Sequence, residues 1–102
     1  MKEAEIEKRM VKEIEGMGGL CWKFTSPGTI GVPDRIVVLP GGSVIFVELK
    51  AEFGRMANIQ RYRISQLKKC GVDARKIQGL EEMKSFVREC KTRLEGGERS
   101  EI

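Results

Sequence analysis

Residues 31–50, "GVPDRIVVLPGGSVIFVELK", contain two apolar runs that are separated by the sequence Pro-Gly-Gly. Apolar runs of this length on either side of a proline-glycine turn predict a β-hairpin. The predicted strands cover 34–39 and 43–50. This hairpin is the most hydrophobic part of the chain, and we expect it to lie within a sheet.

Charged residues mark the open end of the hairpin. Asp34 begins the first strand, and Glu48 and Lys50 lie at the end of the second. Side chains two positions apart on a strand point to the same side, so Glu48 and Lys50 share a face with Val44 and Phe46. Antiparallel pairing brings the start of one strand beside the end of the other. We therefore expect the three charges to meet.

The segments around the hairpin predict a small α/β (α+β) domain. The predicted elements are a helix at 4–17, a strand at 20–25, the two hairpin strands, a helix at 57–70, a short strand at 74–78 and a helix at 80–94. The order α-β-β-β-α-β-α predicts a mixed central sheet flanked by helices. We expect a single domain over 1–94 and a flexible C-terminal tail over 95–102.

The composition excludes several classes of protein. The chain has 102 residues, of which 40% are hydrophobic and 33% are charged, as in globular proteins. No apolar run approaches the roughly 20 residues that a membrane-spanning helix needs. Three widely spaced cysteines and the absence of histidine argue against a zinc site and exclude histidine-dependent catalysis. Reduced cysteines are typical of a cytoplasmic protein, in a host cell if the protein is viral.

The net charge of +4 is concentrated in one part of the chain. Residues 61–79 contain six lysines and arginines and a single acid, Asp73. A basic cluster of this kind is typical of a surface that binds phosphates. A solvated helix face rich in lysine and arginine is the alternative interpretation.

Two further polar residues interrupt apolar helix faces. Glu7 lies within the stripe of the first helix that includes Met10 and Ile14, and Gln60 shares a face of the second helix with Ile64. An acid and an amide from two helices are therefore expected to point towards the sheet.

Several carboxylates buried together cost free energy unless cations neutralise them. Lys50 supplies one positive charge, and a divalent ion would supply the rest. Glu7, Asp34 and Glu48 offer only oxygen ligands, which suit Mg²⁺ or Mn²⁺. The simpler interpretation is a structural ion pair of Glu48 with Lys50, with Asp34 capping a turn.

The same residues resemble the PD-(D/E)xK nuclease motif, here Pro33-Asp34 followed by Glu48-Leu49-Lys50. From residue 3 to about residue 90 the chain resembles the stand-alone VRR-NUC domain of bacterial viruses. The resemblance includes "EIEKRMVKEIEGMGG", "KFTSPGTIGVPD", "VELKAEFGRM" and "NIQRYRISQLKKCGV". The helix-1 acid of archaeal Holliday junction resolvases aligns best with Glu7, and Glu3 is the second candidate.

The resemblance implies a restriction-endonuclease-like core that hydrolyses DNA phosphodiesters with Mg²⁺ or Mn²⁺. The implied metal ligands are Asp34, Glu48, the Leu49 carbonyl and Glu7. The implied catalytic residues are Glu7, Asp34, Glu48, Lys50 and Gln60. Lys50 would orient or deprotonate the attacking water, and Gln60 would position that water or the phosphate.

Stand-alone members of the family are similar to Holliday junction resolvases and form homodimers. The function expected from the sequence is therefore a structure-selective junction resolvase. A nonspecific or flap-type nuclease, a catalytically silent DNA-binding module and a structural ion-pair cluster are the alternatives. The residues expected to contact DNA are Lys23, Ser26, Arg55, Arg61, Arg63, Lys68 and Lys69.

Overall fold

The computed structural model describes the backbone of residues 1–100 and the side chains of residues 1–96. Its elements are α1 (Glu3–Gly16), β1 (Leu20–Lys23), β2 (Arg35–Val38), β3 (Val44–Lys50), α2 (Asn58–Lys69), β4 (Asp73–Gln78) and α3 (Gly79–Ser100). This is the predicted order, and the predicted α+β class is confirmed.

The hairpin forms the middle of a four-stranded mixed sheet in the order β1-β2-β3-β4. The first three strands are antiparallel neighbours, and β4 pairs with β3 in parallel after the chain crosses over through α2. The turn of the hairpin needs glycine, because Gly41 and Gly42 have φ angles of 93° and 98°. The Gly42 N–H donates to the carbonyl of Leu39 at 3.0 Å and closes the turn.

The helices lie on opposite faces of the sheet. Ile45, Val47 and Leu49 of β3 are buried on one face, in a core that they form with α1 and α3. Phe46 points to the other face and packs in a smaller cluster with Ile64 of α2. Side-chain alternation along β3 explains the separation, since successive residues of a strand point to opposite sides.

The last helix is longer than predicted. It continues to Ser100, so the predicted helix end at residue 94 is wrong. Gly96 and Gly97 lie inside the helix and do not end it, because a glycine inside a helix costs only about 1 kcal/mol relative to alanine. Residues 101 and 102 of the predicted tail lie outside the described residues. Within residues 1–100, no helix is both long and apolar enough to cross a membrane.

The C-terminal part of the loop between β1 and β2 packs against α2. Gly31 has a φ angle of 89°, and a Cβ atom at this position would come within 2.8 Å of the Ile59 side chain. Pro33 is fully buried. The tight packing of these two residues holds the backbone in place directly before Asp34.

Candidate active site

Asp34 and Glu48 face each other across the open end of the hairpin. They lie one position beyond the last strand pair, Arg35 with Val47. The N–H of Phe24 donates to the carbonyl of Asp34 at 2.8 Å, so the antiparallel alignment continues past the ends of β1 and β2. Residues that oppose each other in such a pair point to the same side of the sheet. Both carboxylates are therefore on the side that α2 covers.

These two carboxylates are incompletely neutralised. Glu48 is only 3% exposed, and Oδ1 of Asp34 is buried without a hydrogen-bond partner among the described residues. Burial is the main cause that raises the pKa of Asp34, and the charge of Glu7 raises it further. Burial also raises the pKa of Glu48, and the charge of Asp34 adds to that effect. The open end of the hairpin is thus a site that favours a cation.

Lys50 supplies part of the missing positive charge. Its Nζ atom lies 3.2 Å from Oε2 of Glu48. The hydrogen bond from Lys50 lowers the pKa of Glu48 against the effect of burial. The ion pair of the simpler interpretation is present, but it leaves Oδ1 of Asp34 without a partner. The ion pair alone therefore does not account for the buried charge.

Glu7 approaches the same end of the sheet from the opposite face. Its Oε2 atom accepts a hydrogen bond from Nε of Arg35 at 3.1 Å and lies 3.9 Å from Nζ of Lys23. Arg35 also donates to the carbonyl of Cys21 at 3.1 Å. Among the described residues, no three Asp, Glu, Cys or His side chains converge as a set of metal ligands. The predicted three-carboxylate set is therefore absent from this structure, because Arg35 and Lys23 hold Glu7.

The other helix-1 acid, Glu3, is exposed in the first turn of α1. No hydrogen bond or ion pair within residues 1–96 connects it to the carboxylates of the hairpin. The Leu49 side chain is buried in the core, so only the backbone carbonyl of this residue is able to act as a ligand.

The side chain of Gln60 bonds to the backbone at the start of its own helix. Its Oε1 atom accepts a hydrogen bond from the backbone N–H of Ala57 at 2.9 Å, at the start of α2. This contact satisfies one of the free N–H groups that every helix has at its N-terminus. Gln60 is half-buried on α2, which covers the same face of the sheet as Glu48.

The residues that were predicted to contact DNA differ in their availability. Five of these residues have side chains that are exposed to solvent: Lys23, Arg55, Arg61, Lys68 and Lys69. Ser26 is half-buried. Lys68 and Lys69 form the last turn of α2. Arg61 donates to Oδ1 of Asn58 at 3.2 Å, which leaves its guanidinium on the surface.

Two basic residues of the segment 61–79 have structural contacts instead. Arg63 donates to the carbonyl of Ile30 at 2.8 Å, which ties α2 to the loop before β2. Arg75 bonds Asp73 at 2.9 Å and Glu89 at 2.6 Å. Arg75 thus lies on the side of β4 over which α3 packs, and not on the face that α2 covers.

Arg35 is a site residue that the sequence interpretation missed. The available signal was a charged side chain at the first position of an otherwise apolar strand, "RIVV". Its partner Glu7 lies 28 residues away in the chain. Only the packing of α1 on the sheet reveals that the two residues meet.

Two solved structures have a closely similar fold. One, a "VRR_NUC domain", has a TM-score of 0.80 and 27% sequence identity, and the match covers 86% of this chain and 96% of that chain. The chain has the fold of a VRR-NUC domain. A second structure, a "VRR_NUC domain protein", has a TM-score of 0.65 at 20% identity over 88% of both chains. The predicted resemblance to the VRR-NUC family is confirmed.

A curated relative is similar over a shorter segment. "Putative nuclease p44" of Acyrthosiphon pisum secondary endosymbiont phage 1 is 55% identical over 51 residues, which are 50% of this chain. The match spans about half the length of that relative, 55% of it. No family model matches the sequence. Together, the likenesses support nuclease function.

Proposed function

We propose that this VRR-NUC domain is a divalent-metal-dependent endonuclease that hydrolyses DNA phosphodiesters. The observation that carries the proposal is the buried pair of Asp34 and Glu48 beside Lys50, with Oδ1 of Asp34 unpartnered among the described residues. Buried acceptors without a partner are rare in proteins and call for an explanation. A cation between the two carboxylates supplies one.

The donor set fits a hard divalent ion. Asp34 and Glu48 offer carboxylate oxygens, and the Leu49 carbonyl is a third oxygen donor, as Mg²⁺ and Mn²⁺ prefer. The charge of Asp34 raises the pKa of Glu48, and the charge of Glu7 raises the pKa of Asp34. A nearby cation would relieve this repulsion. Such an ion supplies polarisation of the phosphoryl oxygen and a more acidic water when it is bound.

The residues of the chain then have separate roles. Lys50 is held beside Glu48 by the ion pair at 3.2 Å, and its ammonium donates to the oxygens on which charge develops in the transition state. Glu7, held by Arg35, contributes negative charge from the other face of the sheet and orients Lys23. Gln60 keeps the N-terminus of α2 ordered next to the site.

The surface of α2 is suited to the DNA backbone. Arg61, Lys68 and Lys69 are exposed on it, and Arg55 is exposed on the segment that precedes it. Lysine and arginine contacts to phosphates position DNA without reading its sequence. A nuclease of this kind recognises the shape of its substrate rather than its bases.

We propose a four-way DNA junction as the substrate and a homodimer as the active form. A two-fold dimer offers two sites for the two strands that a symmetric junction requires to be cut. The exposed apolar side chains of Leu20, Trp22 and Val44 on one face of the sheet support self-association. A nonspecific or flap-type nuclease and a silent DNA-binding module are the alternatives that the following experiment separates.

The test is cleavage of a labelled four-way junction and of its linear duplex arms with Mg²⁺, with Mn²⁺ and with EDTA. Lys50→Ala is compared with Lys91→Ala, which removes a surface lysine whose Nζ atom lies 3.6 Å from Glu13. We expect a loss of about 10²–10³-fold in kcat for Lys50→Ala and no change for Lys91→Ala. EDTA should abolish cutting.

The outcomes separate the alternatives. Paired nicks in the junction alone support a resolvase that uses this site. Equal cutting of the duplex arms supports nuclease activity and contradicts a preference for junctions. DNA binding without cutting under either metal contradicts the proposed enzymatic activity and favours a catalytically silent DNA-binding module.

A further inference from the structure

Two loops that border the carboxylate pair each carry a solvent-exposed apolar side chain. Phe53 is 90% exposed, three residues after Lys50, and Ile30 is 76% exposed, four residues before Asp34. Single exposed apolar residues are common on protein surfaces. Here, however, both lie on loops that lead directly into or out of the proposed active site.

The Phe53 loop is held rigidly. The N–H of Gly54 donates to the carbonyl of Ala51 at 2.9 Å, which closes a turn with Phe53 at its third position. The side-chain amide of Gln78 donates to the carbonyls of Glu52 at 3.0 Å and Gly54 at 2.5 Å. Hydrogen bonds therefore fix the backbone on both sides of Phe53.

The turn also packs closely against its surroundings. A Cβ atom on Gly54 would lie 3.4 Å from Cβ of Lys50, and a Cβ atom on Gly79 would lie 3.5 Å from Glu52. Gln78 is the strand partner of Lys50 in the parallel pair of β3 and β4. The position of Phe53 is thus coupled to the same strand end that positions Lys50.

The aromatic ring has no packing role in this arrangement. With 90% of its surface exposed, Phe53 buries almost no area in the core. An ordered turn that displays an aromatic ring to solvent is suited to a flat, apolar ligand. Arg55, which is exposed two residues further along the chain, is placed to bind a backbone phosphate, and DNA carries flat bases beside its phosphates.

We infer that Phe53 stacks on an unpaired nucleobase next to the scissile phosphate. The inference rests on the proposed nuclease function and deepens it. Aromatic side chains stack on any base, whatever its sequence, when the base is not paired. In linear duplex DNA the bases are already stacked on one another. Phe53 therefore favours branched or frayed sites over intact duplex and acts as a specificity residue.

The test compares Phe53→Ala and Phe53→Trp with the wild type on a branched substrate and on a linear duplex of the same sequence. Lys91→Ala is the control, since it shortens an exposed side chain on α3 whose Nζ atom lies 3.6 Å from Glu13, outside the proposed site. Stacking is measured separately, with 2-aminopurine at the branch point and Ca²⁺ in place of Mg²⁺. Quenching of the 2-aminopurine fluorescence reports contact with an aromatic ring.

We expect Phe53→Ala to lower kcat/KM on the branched substrate by about 10-fold, within the range of one lost base–aromatic stack. Duplex cutting should change less than about twofold, and Phe53→Trp should retain the branch preference. The quenching should disappear in Phe53→Ala alone.

Three results would overturn the inference. They are an equal loss on both substrates, unchanged quenching in Phe53→Ala, and a shift of Phe53→Ala to a smaller oligomer, which would assign the ring to a contact between copies. If the wild type cuts neither substrate, the proposed nuclease fails. The fluorescence signal still tests the stacking in that case.

Discussion

The buried Oδ1 atom of Asp34 accepts no hydrogen bond among the described residues. Its carboxylate faces that of Glu48, and burial raises the pKa of both groups above their ordinary values. In the folded, metal-free protein the ionised forms of both carboxylates are therefore less favourable than they would be in water. Functional sites commonly carry such a stability cost.

Asp34→Asn is expected to stabilise the metal-free protein at pH 7 by about 1 kcal/mol. The amide keeps the shape of the side chain and removes the repulsion with Glu48. Because the pKa of Asp34 is raised in the folded wild type, its carboxylate binds a proton at a higher pH in the folded state than in the unfolded state. The repulsion with Glu48 therefore disappears as the pH falls. The difference between the two proteins should therefore vanish near the ordinary pKa of 3.8. Urea unfolding between pH 4 and pH 8 measures it.

The control for this prediction is Asp73→Asn. The hydrogen bond from Arg75 is the main cause that lowers the pKa of Asp73, so this substitution should destabilise the protein at pH 7. Mg²⁺ should raise the melting temperature of the wild type and of Asp73→Asn. An equal rise in Asp34→Asn would contradict the metal site.

At the scale of the elements, the site is assembled from both faces of one sheet. α1 delivers Glu7 to Arg35 on one face, and α2 covers the face that carries Glu48. The loop over residues 24–34 joins β1 to β2 and contacts α2 through Gly31 and through the hydrogen bond from Arg63. The packing of this loop on α2 therefore sets the position of Asp34.

Gly31→Ala is expected to destabilise the protein by about 1–3 kcal/mol, the usual cost of a non-glycine residue in a strained backbone conformation. Its φ angle is 89°, and the added methyl group would meet Ile59. Gly28→Ala in the same loop is the matched control, because nothing lies within 4 Å of its Cβ position. Denaturant unfolding compares the two, and an equal effect would contradict the proposed packing.

At the scale of the whole molecule, α2 leaves part of one sheet face uncovered. The strand register aligns Leu20, Val38 and Val44 across β1, β2 and β3 on this face. Leu20 is 43% exposed and Val44 is 45% exposed, and Trp22 of the edge strand is exposed beside them. We call these four residues the sheet-face patch. An apolar surface of this kind is typical of a protein interface.

Leu20→Glu is expected to convert the proposed homodimer into a monomer, because a charge in the sheet-face patch would be buried in the interface without a partner. Sedimentation velocity measures the change in mass. Ser85→Glu places the same charge on an exposed position of α3 and serves as the control. A wild type that sediments as a monomer, or a Leu20→Glu dimer, would contradict this assignment of the interface.

The sequence by itself determined the order of the elements and the chemistry of the hairpin. Alternation and a Pro-Gly-Gly turn are local signals, and antiparallel pairing around a turn brings Asp34 and Glu48 together without reference to the rest of the chain. The same locality explains why the ion pair of Glu48 with Lys50 was foreseeable.

Only the tertiary structure decided which faces the helices cover and which partners their polar residues take. Glu7 pairs with Arg35, 28 residues away, and the turn that displays Phe53 is fixed by Gln78, 24 and 26 residues from its two acceptors. These contacts depend on how α1 and β4 pack against the hairpin. Packing of this kind follows from the summed burial of many side chains, and no local pattern of residues encodes it.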